Sequence, residues 1–268
     1  MTTNEIYVPK LGDVIIPGTH PKKGHFMQPN LPVIAGLKAM YIHGGTSELS
    51  MRNRADNSAP LTKVGAPTIL AEFGAICSFG NCFDTGKVST KNQTHIVICK
   101  PVKPTEATEK QQAFMMGNYS YSGAPAVYRG DGLAFLFSGQ SLYGAFVEDG
   151  GATPTNMINY FSAAYDASKW AAFVSLVDGD NGIARIGGRQ GGALAWQNSR
   201  ALTNRTAYAD RTIRIGSHHA PAAYPAGAAI TMGLELIFEA ALTQAQVASV
   251  IDSVSEYLNA AWGISDLR

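Results

Sequence analysis

Between residues 168 and 262 the chain runs through successive strand signals separated by Gly-rich turns and closes on one capped helix, an order that leaves few folds open. Strands that follow one another with no helix between them pair antiparallel, so the run predicts a β-sandwich with a terminal helix. In its first segment, Lys169 to Gly179, Trp170, Ala172, Val174 and Leu176 share one face while Phe173 and Val177 take the other. Both faces are apolar, as expected of an inner strand. Asp178-Gly179 and Asp180-Asn181-Gly182 supply the turn into a second strand, Ile183 to Ile186, and Gly187 to Gly192 reads as a further flexible turn. Arg211 to Gly216 alternates, with Ile213 and Ile215 inward, and Met232, Leu234, Leu236 and Phe238 share one side of a later strand with Glu235 and Glu239 on the other.

The helix is defined at both ends. The Thr243 hydroxyl can accept from a free amide of the first turn, and Gln246 completes a capping box. Val247, Val250, Ile251, Val254 and Leu258 recur at helical spacing, and Gly263 stands where a left-handed cap belongs. One apolar stripe on a lone helix must be buried, and covering an edge or end of the sandwich is its expected role.

The segments "SKWAAFVSLVDGD" from Ser168, "RTIRIGS" from Arg211 and "GLELIFEAALTQAQVASVIDSVSEYLNAAWGI" from Gly233, with "LPVIAGLKAMYIHGG" from Leu31 and "VGAPTI" from Val64, carry a resemblance. The chain resembles the laminin G-like, concanavalin A-like jelly-roll superfamily, in the variety met in bacteriophage and prophage structural proteins. The resemblance runs from about Leu31 onward and consists of strands and turns, with no catalytic motif. It implies a mainly β, two-sheet antiparallel sandwich whose members bind glycans or proteins or serve as virion components. On this reading residues 1–30 form an extended N-terminal arm, and 31–268 form one sandwich with its C-terminal helix at 243–262.

The arm is set apart by Pro9, Pro17, Pro21 and Pro29, which interrupt short apolar stretches. Ile6, Tyr7, Val8, Ile15, Ile16 and Phe26 are too apolar for a solvated tail, so the arm either docks on a neighbouring chain or wraps its own sandwich. Charged residues make up only 15% of the chain and the net charge is +1, which suits a surface covered by neighbours and a homo-oligomer or virion partners. No Lys/Arg block gives an electrostatic footprint for nucleic acid, so none is expected as partner. No signal peptide or membrane-spanning run is visible, and the expectation is synthesis in a host cytoplasm followed by assembly into a virion. Cys77, Cys82 and Cys99 lack His partners at zinc spacing and read as reduced, buried thiols, with a Cys77 to Cys82 bridge as the alternative.

The same sandwich hosts glycoside hydrolases, which need paired carboxylates. No Glu-x-Asp-x-x-Glu run occurs, and Glu235 and Glu239, if four apart on one strand face, would stand roughly 13 Å apart, too far for an acid and base pair. The adjacent His218 and His219 read as an exposed loop pair. Sugar recognition calls for aromatic rings beneath pyranoses with polar groups at their edges. Trp196 with Gln197 and Asn198, Tyr208 with Asp210, and Tyr224 form the candidate patch. Asp178, Asp180 and Asn181 offer oxygens in one turn, which resembles the loop-borne calcium sites of some laminin G-like domains, although turn chemistry explains the same residues. The expected function is a non-enzymatic virion structural and recognition protein of a phage tail, baseplate or capsid surface, binding partner proteins or host glycans. No cofactor is expected beyond that calcium. The alternative is a polysaccharide-degrading enzyme on the same fold.

Overall fold

Two apolar layers organise the protein, one between its sheets and one beneath its long helix. The computed structural model describes residues 28–101, 112–122, 127–136, 141–148, 156–162, 165–219 and 229–268. The arm residues Ile6, Tyr7, Val8, Ile15, Ile16 and Phe26, and the candidate Tyr224, lie outside them.

The first part of the chain gives β1 (Leu37–Ile42), a short helix α1 (Ser47–Met51), β2 (Thr62–Val64), β3 (Thr68–Ile69), β4 (Ala75–Cys77), β5 (Cys82–Val88) and β6 (Asn92–Lys100). There follow β7 (Gln112–Gly117), β8 (Ser120–Ser122), β9 (Val127–Arg129), β10 (Gly132–Leu136), β11 (Ser141–Val147) and β12 (Asn156–Ser162). The last third supplies β13 (Ala171–Asp178), β14 (Ile183–Arg189), β15 (Ala195–Trp196), β16 (Arg200–Ala201), β17 (Thr212–Ile215), β18 (Ile230–Phe238) and α2 (Gln244–Trp262). The nine-stranded sheet runs β15-β14-β13-β6-β18-β4-β3, with β1 also on β18 and β16 on β14. The seven-stranded sheet runs β12-β11-β10-β7-β17-β5-β2, and β8 and β9 form a separate hairpin. The ladders are antiparallel, giving a mainly β two-sheet sandwich with a C-terminal helix.

The expected inner strand is β13, which is buried along seven of its eight residues. Its inward Phe173 and Val177 join Phe135, Phe146, Met115, Ile213 and Ile215 between the sheets. Its outward Ala172, Val174 and Leu176 meet Ile96, Ile98, Leu234, Leu236 and Phe238 in the layer that α2 covers with Val247, Val250, Ile251, Val254 and Leu258. Phe73, Trp170 and Trp262 close one end of that layer, with ring centroids 4.7 and 5.3 Å from Phe73. Cys77, Cys82 and Cys99 are free and buried. No helix among the described residues is long and apolar enough to cross a membrane.

The α2 caps match their residues: Thr243 Oγ1 accepts from Gln246 N at 3.2 Å and Gln246 Oε1 accepts from Thr243 N at 2.8 Å, while Gly263 has φ 69°. Thr243→Ala is expected to remove about 1 kcal/mol of stability, a fall of roughly 2–4 °C in Tm by thermal denaturation.

Four features depart from the expectations. The glycines at 187 and 188 continue β14 instead of turning, because neighbouring rings fill the space of their missing side chains: a Cβ on Gly188 would lie 2.0 Å from the Tyr165 hydroxyl. The chain turns later, at Gly191 and Gly192, where φ is 71° and 62°. A bulge between Met232 and Leu234 reverses the facing of β18, so Met232 points between the sheets and Leu234, Leu236 and Phe238 point to the helix. Glu235 is thereby fully buried, while Glu239 lies beyond the strand end and pairs with Lys38 at 3.4 Å. His218 is buried rather than exposed, with its ring centroid 4.4 Å from that of Phe114, because the 216–219 segment folds back over the aromatic face of β7.

Candidate ligand cleft

The β13–β14 hairpin fixes one wall and the floor of an open cleft. In its register Leu176 faces Arg185 and Asp178 faces Ile183, which places all four side chains on the outward, helix-bearing face, while Ala184 and Ile186 point into the core. The opposite wall is Ala241, Leu242, Thr243 and Gln244, the approach to α2 and its first residue. Thr94, beside Leu176 on β6, ties that wall to the sheet: its hydroxyl donates to Ala240 O at 2.8 Å and accepts from Leu242 N at 3.0 Å. The cleft volume is about 350 Å3, at the small end of the roughly 300–1,000 Å3 typical of small-molecule sites.

The rim is a locked turn. Both Asp178 carboxylate oxygens accept from Asn181, at 3.0 Å from its backbone N and 2.7 Å from Nδ2. Asn92 Oδ1 accepts from Gly179 N and Asp180 N, and its Nδ2 donates to Asp180 Oδ2 at 2.6 Å. Lys91 Nζ sits 2.7 Å from Asp180 Oδ1. Hydrogen bonds from Lys91 and Asn92, with the Lys91 charge, hold the Asp180 carboxyl below its ordinary range. An ammonium and amide donors thus face the oxygens a calcium ion would need, so the turn as built does not fit a cation site. Among the described residues no three His, Cys, Asp or Glu side chains converge as a metal site.

Of the predicted patch, Trp196 sits on the strand that edges β14. It pairs with Gly187 on β14, two residues beyond Arg185, and packs against the helix layer instead of lining the cavity. Gln197 N donates to Ile186 O at 2.9 Å, and Asn198 is exposed. Tyr208 is buried and its carbonyl accepts from Asn118 Nδ2 at 2.6 Å, at the end of β7 in the other sheet, while Asp210 is exposed. Trp196 and Tyr208 are therefore anchored on different sheets. Arg185 and Gln244 escaped the sequence reading, and Thr243 was read only as the helix cap. Counting hairpin register back from the Asp178 turn would have set Arg185 opposite Leu176.

Two buried acidic residues elsewhere sit beside basic partners. Arg205 clamps Asp131 with Nη1 to Oδ1 at 2.8 Å and Nη2 to Oδ2 at 2.6 Å, both side chains being buried. Glu235 Oε2 lies 2.8 Å from His43 Nε2, both side chains being fully buried. The cleft itself holds one carboxylate and one guanidinium over an apolar floor, with Arg185 in no ion pair with a described residue.

No family model and no curated protein matches the sequence. Solved structures do. The receptor binding domain of botulinum neurotoxin D superposes with a TM-score of 0.55 at 11% identity, over 82% of this chain and 53% of that one. The binding domain of Paraclostridial Mosquitocidal Protein 1 gives 0.55 at 8% identity, over 82% and 53%. Trypanosoma rangeli sialidase with 2,3-difluorosialic acid gives 0.56 at 12% identity, over 87% of this chain and 35% of that one. The likeness is one of fold. The chain spans about half of each binding domain and about a third of the sialidase.

Proposed function

We propose that the protein is a non-enzymatic recognition module that binds glycans in the β13–β14 cleft. The observation that carries this reading is the composition of the cleft: Asp178 and Arg185 set above Leu176, Ile183 and Leu242. A carboxylate accepts and a guanidinium donates hydrogen bonds to hydroxyls, and an apolar floor suits the C–H face of a sugar ring. A single carboxylate does not make the acid and base pair that glycoside hydrolysis uses. The fold shared with a toxin receptor binding domain supports a binding role, and botulinum neurotoxin type C, which also shares the fold, depends on interaction with two ganglioside molecules for cell entry. The setting we propose is a phage particle, following the resemblance of the strand segments and the low charge, with the arm docking on a neighbouring copy or virion protein. Binding needs no metal on this reading.

A glycan array tests it. Binding is expected, unchanged by EDTA, and weakened more than tenfold by Arg185→Met, which keeps an unbranched apolar stem but removes the donors. New reducing ends on incubation with host polysaccharide would instead establish the enzyme, and an Arg185→Met protein that binds undiminished would remove the cleft from the site.

A further inference from the structure

We infer that the cleft takes the terminal residue of a neutral sugar chain end-on, an inference that rests on the glycan reading above. The first argument is the shape of the groove between β14 and α2. Arg185 and Gln244 line the cleft, and further along the same two elements Arg189 bridges to Asp252. The interval from Arg185 to Arg189 is about 13 Å at strand rise, and that from Gln244 to Asp252 is about 12 Å at helix rise. Strand and helix therefore run side by side in step, tied at the far end by an ion pair.

The groove does not stay open along that length. Trp196 lies over Gly187, midway between the two arginines: a Cβ there would come 2.9 Å from the indole Cε3 and 3.0 Å from Cδ2. Leu194 and Trp196 both pack against the helix layer. The space past Arg185 is filled by an aromatic ring, and Gly187 is the residue that lets the ring sit there. A ligand enters from the side of the Asp178 turn and stops at this block, so a chain cannot thread through.

The second argument is charge. Asp178 and Arg185 are diagonal neighbours across the hairpin, with Cβ atoms roughly 7 Å apart, and no ion pair joins them. A carboxylate on the ligand would meet Asp178, and an ammonium would meet Arg185. A polyol hydroxyl donates to one and accepts from the other, so the pair favours an uncharged ring. Of the charges along the rim and groove, Lys91 is matched by Asp180 and Arg189 by Asp252.

The test is an array whose glycans share internal sequences but differ in their terminal residue, with methyl glucoside, galactoside, mannoside and N-acetylglucosaminide as soluble competitors and glucuronic acid as the anionic control. Binding is expected to follow the terminal residue. At least one neutral methyl glycoside should displace the bound protein, glucuronic acid should not, and Arg185→Met should lose the competition. Binding that follows internal sequence whatever the terminus, or that yields to glucuronic acid alone, overturns this inference and leaves the glycan reading intact. Binding to no glycan at all removes both. A folded Gly187→Val protein, in which Trp196 is displaced, serves as a second variant. It should lose the terminal preference, and an unaltered preference counts against the blind end.

Discussion

Asp131→Ala is expected to destabilise the sandwich by about 3–5 kcal/mol, because it strands a buried guanidinium. Arg205 has no exposed side-chain surface, and its Nε already lacks a partner among the described residues. Asp131 also accepts from Val147 N at 2.9 Å and Gln93 Nε2 at 2.9 Å, while Arg205 donates to Val147 O at 2.6 Å and Thr90 O at 3.2 Å. The pair therefore joins the start of β6, the end of β11 and the 202–210 segment. Burial opposes ionisation of Asp131, but the Arg205 charge, its hydrogen bonds and the Val147 amide outweigh burial and hold the carboxyl below its ordinary value. A folded pKa below the unfolded one means that the contribution is complete above about pH 4 and is lost only as pH falls further. At neutral pH Asp131→Ala should lower Tm by roughly 10 °C. Asp131→Ala/Arg205→Ala should recover part of the loss, since the uncompensated charge goes, but not all of it, since the Val147 and Thr90 groups stay unpaired. A single-variant loss below about 1 kcal/mol would show that the clamp contributes little.

Why this clamp was invisible in the sequence, while the helix and the strands were not, follows from how far each signal reaches. The α2 boundaries are written within one turn, in Thr243, Gln246 and Gly263, and its buried stripe recurs at a local period. The strand β17 likewise declares itself by alternation, and β13 by apolar residues on both faces. Asp131 and Arg205 are separated by 74 residues, and His43 and Glu235 by 192, so only the assembled topology brings them together. Met232 was misplaced for a local reason: one bulge turns it between the sheets, away from Leu234, Leu236 and Phe238. Gly187 and Gly188 read as a turn because glycine has two uses, positive φ and close approach, and here the second applies. Asp178 was flagged for its oxygens and does border the cleft, but its partner Arg185 needed the hairpin register rather than composition.

The protein is expected to lose stability steeply as pH falls from about 6.5 toward 4. His95, His218 and His219 each have their pKa lowered to about 4, first by burial. Arg205 adds to this at His95 against the pull of Asp131, His219 and Arg214 add to it at His218, and at His219 the hydrogen bond to Thr212 O only partly offsets it. Unfolded, each would titrate near 6.5. Between the two values the unfolded chain binds protons that the native state refuses, so stability rises with pH across this window and is fully present above it. Each histidine contributes a slope of up to about 1.4 kcal/mol per pH unit, less for the partly exposed His219 because solvent screens it. Glu235 works in the opposite sense. Burial raises its carboxyl pKa against the lowering effect of His43, with Tyr41, Cys77 and Cys99 as its other titratable neighbours, so above the ordinary glutamate range the native state holds a proton that the unfolded chain releases. Thermal denaturation from pH 7.5 to 4.5 should show a falling Tm, a shallower fall for His95→Gln and a steeper one for Glu235→Gln. The two variants pull the slope in opposite directions, so loss of packing at either site cannot mimic the pair of results. A wild-type Tm that stays level between pH 7 and 5 would mean that these rings take up protons without unfolding.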